Sequence, residues 1–352
     1  MAQSNGVPTA PPRGNKKHLR DDDLFVCTLN GETHHVRWSD IETLAIRPPS
    51  LWHIKDVSGG TCTALNVDQV LDVQGNRLSG SVPEYVVNPG EERVIVGNDV
   101  RFTDSTGNWN FGEQTRTEYQ FEFDRLLSGC HNFNGDIQNL DVTEFAFNTS
   151  YMFNHCYKFS QPVTHFRTTN VNTLRAMFQQ CFEFNQPVNH FDTSNCENFM
   201  LIFQGDQANK TQCKFNQPLD KWDTSRGKDF NSIFRMSAFN QDISGWDMSS
   251  AVGIRRMFTQ TTFNQDISSW NVSNVKDFLE LFYLATAFNQ PIGGWNTKSA
   301  VDMDSIFYEA SAFNQNINQW CVRTASHRWW DHYCPIAPNN SPVWGTCPRG
   351  EG

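Results

Sequence analysis

The sequence predicts an α/β solenoid, with one short parallel strand and one short helix in each coil, that follows a small and mostly β N-terminal region. Three observations support this fold class. A Phe-Asn-Gln block recurs about every 25 residues, an alternating apolar pattern begins at each block, and a helix-period pattern precedes it. A coil of this size cannot bury its apolar face alone, so we expect the coils to stack on one another.

Eight phenylalanines anchor the repeat, and each is followed four residues later by an aliphatic residue. The anchors are Phe133, Phe159, Phe184, Phe215, Phe239, Phe263, Phe288 and Phe313. Seven residues after the last five of these anchors stands a tryptophan, namely Trp222, Trp246, Trp270, Trp295 and Trp320. We expect the tryptophans to pack in the interior, with a glycan contact along their column as the alternative.

One copy of the repeat shows how each coil is expected to divide. The apolar residues of Val275–Phe282 follow the i, i+3, i+4, i+7 spacing, which predicts a two-turn helix with one buried face. The segment Phe263–Ile267 alternates, which predicts a short strand with its Phe, Gln and Ile facing inward. Both elements are marginal alone and need neighbouring copies.

An asparagine follows the anchor in seven copies, at Asn134, Asn185, Asn216, Asn240, Asn264, Asn289 and Asn314. These residues are expected to form a ladder of side-chain amides that hydrogen-bond from coil to coil. Two positions later the residue is aspartate in some copies and proline in others, as in Asp266 and Pro291. Because proline replaces it, the aspartate is not predicted to be catalytic or to bind a metal.

Cysteines occur at two places of interest. Cys130, Cys156 and Cys181 share one repeat position, which sets neighbouring Cα atoms about 5 Å apart, within disulfide reach. A reduced apolar column is the preferred interpretation, and a disulfide is the alternative. A zinc site near the C-terminus is not predicted, because no CxxC pair occurs among its candidate ligands. Those candidates are Cys321, His327, His332, Cys334 and Cys347.

The segment Phe263–Val275, Phe-Asn-Gln-Asp-Ile-Ser-Ser-Trp-Asn-Val-Ser-Asn-Val, resembles the bacterial surface-protein repeat first catalogued in mycoplasma lipoproteins. The resemblance covers roughly residues 127–320 and implies a leucine-rich-repeat-like α/β solenoid with a surface or interaction role and no catalytic residues. Repeats of this type also occur in virion proteins of marine bacteriophages. The opening Asp23–Val26, with a hairpin and then Ser39–Ile41, is similar to the start of several cyanophage structural proteins.

The chain outside the repeats is predicted to hold four further segments. Residues 1–20 are a proline-containing flexible arm. Residues 21–50 are a hairpin around Asn30-Gly31 with a short helix opened at Ser39–Glu42. Residues 51–124 form a small β-sandwich-like domain. Eight repeats then occupy 125–320, and 321–352 form a C-terminal cap.

Composition restricts the function. The chain has 352 residues and a formal net charge of −10, which disfavours a nucleic-acid-binding role. No apolar run is long enough for a membrane helix, and the polar start contains no visible secretory signal, so a protein made in the cytoplasm is expected. Common enzyme signatures are missing, so we predict no catalytic residue, metal or cofactor.

These observations lead to one expectation and one alternative. The expected function is a non-enzymatic structural protein of a bacteriophage virion, synthesised in the host cytoplasm, that uses its repeats for assembly or host attachment. A tail or fibre position is preferred over capsid decoration. Its expected partners are other virion proteins, a host-surface receptor or glycan, and further copies of itself by analogy. The alternative is a cellular adhesin or glycan-binding surface module.

Overall fold

The computed structural model describes residues 24–29, 32–37, 51–58, 61–97, 100–103, 108–111, 123–140, 142 and 148–348. The chain divides into two compact units, Met1–Pro48 and Pro49–Gly352. The predicted arm and the predicted helix at Ser39–Glu42 lie outside the described residues. The finer segment boundaries stay predictions.

In the first unit, the described residues form one antiparallel hairpin. β1 (Leu24–Leu29) pairs with β2 (Glu32–Arg37) in a register that sets Leu29 opposite Glu32. Asn30 and Gly31 alone separate the strands. The Asn-Gly pair favours this short connection because both residues tolerate the positive φ values that a tight hairpin turn requires.

The second unit begins with two antiparallel sheets. One has the strand order β10-β3-β8-β5-β6 and the other the order β7-β4-β9. The strands are β3 (Leu51–Ser58), β4 (Cys62–Val67), β5 (Gln69–Leu71), β6 (Arg77–Ser79), β7 (Val82–Val87), β8 (Arg93–Val96), β9 (Arg101–Thr103) and β10 (Asn108–Phe111). The buried rings of Trp52 in β3 and Phe102 in β9 meet edge to face, with centroids 6.1 Å apart, which joins the two sheets in one core.

The predicted α/β solenoid of parallel strands and helices is wrong. Every named strand pair is antiparallel, and none of the described residues forms an α-helix. The helical residues among them are confined to two 3₁₀ turns at Ile292–Gly294 and Pro338–Asn340. In place of the predicted elements, the repeats consist of turns and of isolated single-residue bridges such as Asp277 to Asp302.

The segment predicted as a helix, Val275–Phe282, is a run of tight turns whose backbone amides alternate between two kinds of partner. The Leu281 N–H donates to the Phe278 carbonyl three residues back, at 3.0 Å. The Phe282 N–H instead donates to the Ile306 carbonyl in the next copy, at 2.9 Å. An α-helix requires each N–H to reach the carbonyl four residues back. Because alternate amides serve the next copy, that pattern cannot form.

Left-handed residues also keep this segment out of a helix. Glu280 and Leu284 have φ values of 53° and 55°, and the equivalent Ser305 and Glu309 of the next copy have 55° and 54°. Such a conformation costs an L-residue roughly 1–2 kcal/mol, which the bonds between copies must offset. Turns of this kind still bury side chains at spacings of three and four residues, so the apolar pattern imitates that of a helix.

The segment predicted as a strand, Phe263–Ile267, lacks a backbone ladder for a chemical reason. The Asn264 N–H donates to the Asn240 side-chain Oδ1, at 2.9 Å, where a parallel strand would use a backbone carbonyl. Gln265 Nε2 donates to the same Oδ1 at 3.1 Å. Since the asparagine side chain replaces the neighbouring backbone as acceptor, the copies join here without forming strands.

Successive copies nevertheless lie over one another. Neighbouring anchor rings are nearly parallel, with centroids 5.7 to 6.3 Å apart from Phe133 through to Phe313. We call residues 123–348 the repeat stack. Its first anchor also contacts the sheets, since the Trp109 ring lies 4.7 Å from the Phe133 ring, and one continuous hydrophobic core includes both.

The C-terminal segment continues the repeat stack as a degenerate copy. Ser326 accepts a backbone hydrogen bond from Met303 at 3.0 Å, as each earlier copy does from the one before it. A disulfide joins Cys321 to Cys347 across this segment. The sequence analysis did not predict this disulfide, which removes both cysteines from the candidate zinc ligands.

We predict that Phe239→Ala lowers the free energy of unfolding by about 3–5 kcal/mol, because a fully buried ring in the middle of the ring column would leave a cavity between two neighbours. Denaturant unfolding followed by circular dichroism would measure the loss. Val301→Ala, at a side chain that is 58% exposed, is the control and should change little. Equal losses for the two variants would contradict the prediction.

We predict that Cys321→Ser with Cys347→Ser lowers the free energy of unfolding by about 3 kcal/mol, since the disulfide closes a 26-residue separation and restricts the unfolded chain. The measurement compares denaturant midpoints of the double variant and the parent protein without reductant. A reductant should lower the midpoint of the parent and leave that of the double variant unchanged. Identical midpoints for the two proteins would show that the disulfide contributes nothing.

Candidate functional site

The asparagine column binds the backbone of the next copy. Along five consecutive copies, the Oδ1 of one asparagine accepts the N–H of the asparagine in the next copy at 2.9–3.0 Å. These residues are, in order, Asn216, Asn240, Asn264, Asn289 and Asn314. Asn185 serves Asn216 in the same way, and Asn134 serves the N–H of Ser160, both at 2.9 Å. The asparagine side chains therefore bond from copy to copy, but to the backbone N–H of the next asparagine and not to its side-chain amide.

A glutamine two residues after the anchor completes this ladder in six copies, and the sequence analysis missed its role. Its Nε2 donates to the Oδ1 of the preceding copy's asparagine at 2.9–3.2 Å. The residues are Gln161, Gln217, Gln241, Gln265, Gln290 and Gln315. The signal is the recurrence of glutamine two residues after the anchor in seven of the eight copies, a position that the sequence analysis predicts only to face inward.

A true ladder of side-chain amides forms at another position. Asn154 Nδ2 donates to Gln179 Oε1 at 2.7 Å, and Gln179 Nε2 donates to Gln204 Oε1 at 2.6 Å. These residues lie on successive copies, in the turn segment before the anchor. No pattern in the sequence marked them, because later copies replace the amide with Arg235, Thr259 or Tyr283.

The five tryptophans are closed on both ring faces. Neighbouring rings are parallel, with centroids 6.1–6.4 Å apart, and each side chain is between 1% and 4% exposed. Each indole Nε1 donates to the carbonyl of an aliphatic residue in the preceding copy at 3.0–3.1 Å, as Trp246 does to Leu219. With its faces and its donor occupied, this column offers nothing to a sugar.

Two histidines replace the indole donor where phenylalanine stands in the tryptophan position. His165 precedes Phe166 and its Nε2 lies 3.0 Å from the Leu140 carbonyl, while His190 precedes Phe191 and its Nε2 lies 3.1 Å from the Val163 carbonyl. Burial lowers the pKa of His190, which favours the neutral ring with a single N–H for that carbonyl. These histidines are therefore structural.

The cysteine column consists of separate buried thiols. Cys156 Sγ donates to the Leu127 carbonyl and Cys181 Sγ to the Phe153 carbonyl, both at 3.0 Å, while Cys130 Sγ donates to Phe102 at 3.2 Å. The structure holds all three as free cysteines, which favours the reduced column over the disulfide alternative. Burial raises the pKa of Cys156 and of Cys181 well above the ordinary thiol value, so neither is a nucleophile at neutral pH.

The aspartates of the repeat bind turns. Asp266 Oδ1 accepts the Ser268 N–H at 2.9 Å, and Asp242 accepts the Ser244 N–H at 2.8 Å. These backbone bonds lower the pKa of both carboxyl groups, which are ionised and mostly exposed. Among the described residues, no three His, Cys, Asp or Glu side chains come together as a metal site would require.

The charged side chains of Arg235, Arg256 and Glu280, on three successive copies of the repeat stack, lie near one another. Arg256 Nε and Nη2 donate to the two carboxylate oxygens of Glu280, both at 2.8 Å, across two copies. This bond raises the pKa of Arg256, while burial and the nearby Arg256 lower the pKa of Arg235 in the preceding copy. This bidentate pair links two copies, and it occupies both oxygens of the Glu280 carboxylate.

The exposed end of the repeat stack differs from its body. Trp329 and Tyr333 are 64% and 72% exposed, and the ring of His332 lies between them, 5.3 Å from Trp329 and 4.0 Å from Tyr333. We call residues 327–333 the terminal face. His327 and His332, two candidate ligands of the zinc site that the sequence does not predict, both make ring contacts in the structure. The His327 ring stacks on the Trp344 ring, with centroids 4.2 Å apart.

Within the described part of the chain, no helix has the length and apolar character that crossing a membrane requires.

Removing one asparagine acceptor should destabilise the fold. We predict that Asn264→Leu lowers the free energy of unfolding by about 1–3 kcal/mol, because the Asn289 N–H and the Gln290 amide lose their acceptor. Asn264→Asp keeps an acceptor oxygen and is the matched control, with a smaller expected loss in denaturant unfolding. If the two variants lost the same stability, the acceptor role would be refuted.

The buried thiols should resist alkylation in the native protein. At pH 8, iodoacetamide is expected to leave Cys130, Cys156, Cys181 and Cys213 unmodified until the chain is unfolded, because burial keeps them out of solvent and the raised pKa values of Cys156 and Cys181 keep those thiols protonated. Mass spectrometry of the digested protein locates the label. Rapid labelling of Cys156 under native conditions would contradict the buried column.

Comparison with known proteins gave one match. A family model described as Mycoplasma protein of unknown function, DUF285, matches residues 95–214, 207–262 and 256–328, which together exceed half of the chain. The curated proteins and the solved structures that were compared gave no match. The match starts before the first anchor, at a residue of β8, and so includes β9 and β10 as well as the repeat stack up to residue 328.

Proposed function

We propose a function for this protein on the premise that the chain belongs to the DUF285 family, whose repeat is of a bacterial surface-protein type. The proposal is a non-enzymatic structural and binding protein, in which the repeat stack is a rigid element and its free end makes contacts. One observation carries it: the recurring asparagine and glutamine amides and the tryptophan indole N–H groups form hydrogen bonds between copies. A catalytic site needs such groups directed at a substrate.

A further polar column shows the same use. The hydroxyl groups of four buried threonines donate to carbonyls of the next copy at 2.9–3.0 Å, namely Thr168, Thr193, Thr224 and Thr297. With the asparagine, glutamine and tryptophan columns, every copy is therefore tied to its neighbours at several points around its circumference. Such ties make a stiff rod, which suits a spacer or display element.

The finer proposal is a structural protein of a bacteriophage virion, placed in a tail or fibre rather than as a capsid decoration. It is supported by the resemblance of Phe263–Val275 to repeats of phage virion proteins and of the segment from Asp23 to Ile41 to cyanophage structural proteins. Its proposed partners are other virion proteins, further copies of itself, and a receptor or glycan on the host surface. It is made in the host cytoplasm and incorporated into the particle.

Purified particles test this placement. Mass spectrometry of virions from a phage carrying this gene should find the protein at a stoichiometry fixed by symmetry, and immunogold labelling should place it on the tail. Absence from purified virions would overturn the virion proposal. Gold on the capsid shell would overturn the preference for the tail.

A cellular adhesin or glycan-binding surface module is the second candidate, and the exposure of Trp329 and Tyr333 favours it. Exposed aromatic rings are the side chains that stack on sugars, and these two are on the surface whereas the tryptophan column is not. Glycan-array binding that is lost in Trp329→Ala at an unchanged melting temperature would support this candidate. Retention of the binding would remove the terminal face from it.

A further inference from the structure

Within the run of turns of each copy, such as Phe278–Leu284, the backbone hydrogen bonds to the next copy run in one direction, whereas an amide just before the run donates backwards, as Lys276 does to the Val252 carbonyl at 2.9 Å. In each copy, four alternate N–H groups donate to four alternate carbonyls of the next copy, and the pattern holds from Phe123–Gly129 to Met303–Glu309. In one interface the donors Phe278, Glu280, Phe282 and Leu284 reach the carbonyls of Asp302, Asp304, Ile306 and Tyr308 at 2.7–2.9 Å. The peptide groups of these columns therefore point the same way through the repeat stack.

The last copy receives these bonds and keeps the same backbone conformation. The carbonyls of Ser326, Arg328, Trp330 and His332 accept from Met303, Ser305, Phe307 and Glu309 at 2.7–3.0 Å. Trp329 and Tyr333 have φ values of 52° and 59°, matching the left-handed positions of the earlier copies. The turn inside the copy is also kept, with the Cys334 N–H donating to the Asp331 carbonyl at 2.8 Å.

A row of donors consequently emerges at the terminal face. The outward amides belong to His327, Trp329, Asp331 and Tyr333. In each earlier copy, the amides at the equivalent positions donate to the next copy. Within the described residues of the second unit, no acceptor lies opposite them. A row of unpaired edge groups of this kind is a template for another chain.

The charge of this edge determines what can bind it. Aligned peptide dipoles leave partial positive charge at their N–H end, so the complement is a row of carbonyl oxygens. A second copy meeting the terminal face with its own terminal face would oppose donors to donors. Two-fold self-association through this end is therefore disfavoured, and a polypeptide segment that presents a row of carbonyls fits.

We propose that the terminal face binds a segment of a partner polypeptide, which takes up the turn conformation of a copy and adds to the repeat stack as its next copy. Four alternate carbonyls of the segment accept from the amides of His327, Trp329, Asp331 and Tyr333, and the exposed rings of Trp329 and Tyr333 cover its side chains. Strand addition to a sheet edge obtains affinity from main-chain bonds in the same way. The inference rests on the proposed function of a rigid binding element and names the chemistry of its partner.

The chain itself supplies a probe. A capped synthetic peptide with the sequence of Asp302–Glu309 presents the four carbonyls that accept these bonds inside the repeat stack. With the peptide at millimolar concentration, hydrogen exchange of the full-length protein, followed by mass spectrometry, should slow about tenfold over 327–333 and remain unchanged in β4. No slowing, or equal slowing by a peptide of scrambled order, would overturn the proposal.

A backbone substitution tests the donors without changing a side chain. A synthetic segment 321–352 ligated to residues 1–320 at Cys321 allows an ester to replace the Asp331 amide, which removes one outward N–H. We expect about fivefold weaker peptide binding, the value of one hydrogen bond, and no change for a control ester at the exposed Val343. Undiminished binding by the Asp331 ester would refute the row of donors.

Side-chain variants distinguish the other occupants. Trp329→Ala with Tyr333→Ala should weaken peptide binding, with Val343→Ala as the exposed control. A dimer in light scattering that these two changes dissolve would replace the partner segment with a second copy, and glycan binding without peptide binding would replace it with a sugar. The peptide-binding experiment does not depend on the mass spectrometry of purified virions. Failure of the virion placement and failure of this inference are therefore distinguishable.

Discussion

The directed hydrogen bond from one copy to the next is the constraint on which the rest of this structure depends. In the run of turns of each described copy, alternate backbone amides donate to the following copy, and the amides between them close turns inside their own copy. This division of labour requires residues such as Glu280 and Leu284 to adopt left-handed conformations, which a free chain would avoid. The aromatic column holds the copies at the matching spacing, with the Phe263 and Phe288 rings 6.3 Å apart.

The same constraint accounts for the recurring polar side chains in the described residues of the repeat stack. Side chains that would bind a ligand in another protein complete the contact between copies instead, as Asn264 does for the Asn289 backbone and Trp270 does for the Ile243 carbonyl. Buried polar groups are retained because each has a partner, and an unpaired one would be costly.

Sequence analysis was accurate about periodicity and inaccurate about the backbone. The anchors and the tryptophan column were found by their spacing, and the structure buries them in one core. The helix predicted for Val275–Phe282 failed because a run of turns produces nearly the same apolar spacing. The buried set there includes Leu281, whereas the predicted face had Leu279, and that difference is too small to read from one copy.

The sequence by itself determined the repeat length, the interior residues and the acidic, cysteine-containing character of the chain, because these follow from composition and from the spacing of apolar side chains. Tertiary structure alone decided the conformation of each copy, the disulfide between Cys321 and Cys347, and the exposure of Trp329. The physical reason is distance along the chain. The acceptor for the Phe282 N–H is the Ile306 carbonyl in the next copy, so a local pattern cannot show which of two hydrogen-bonding partners an amide takes.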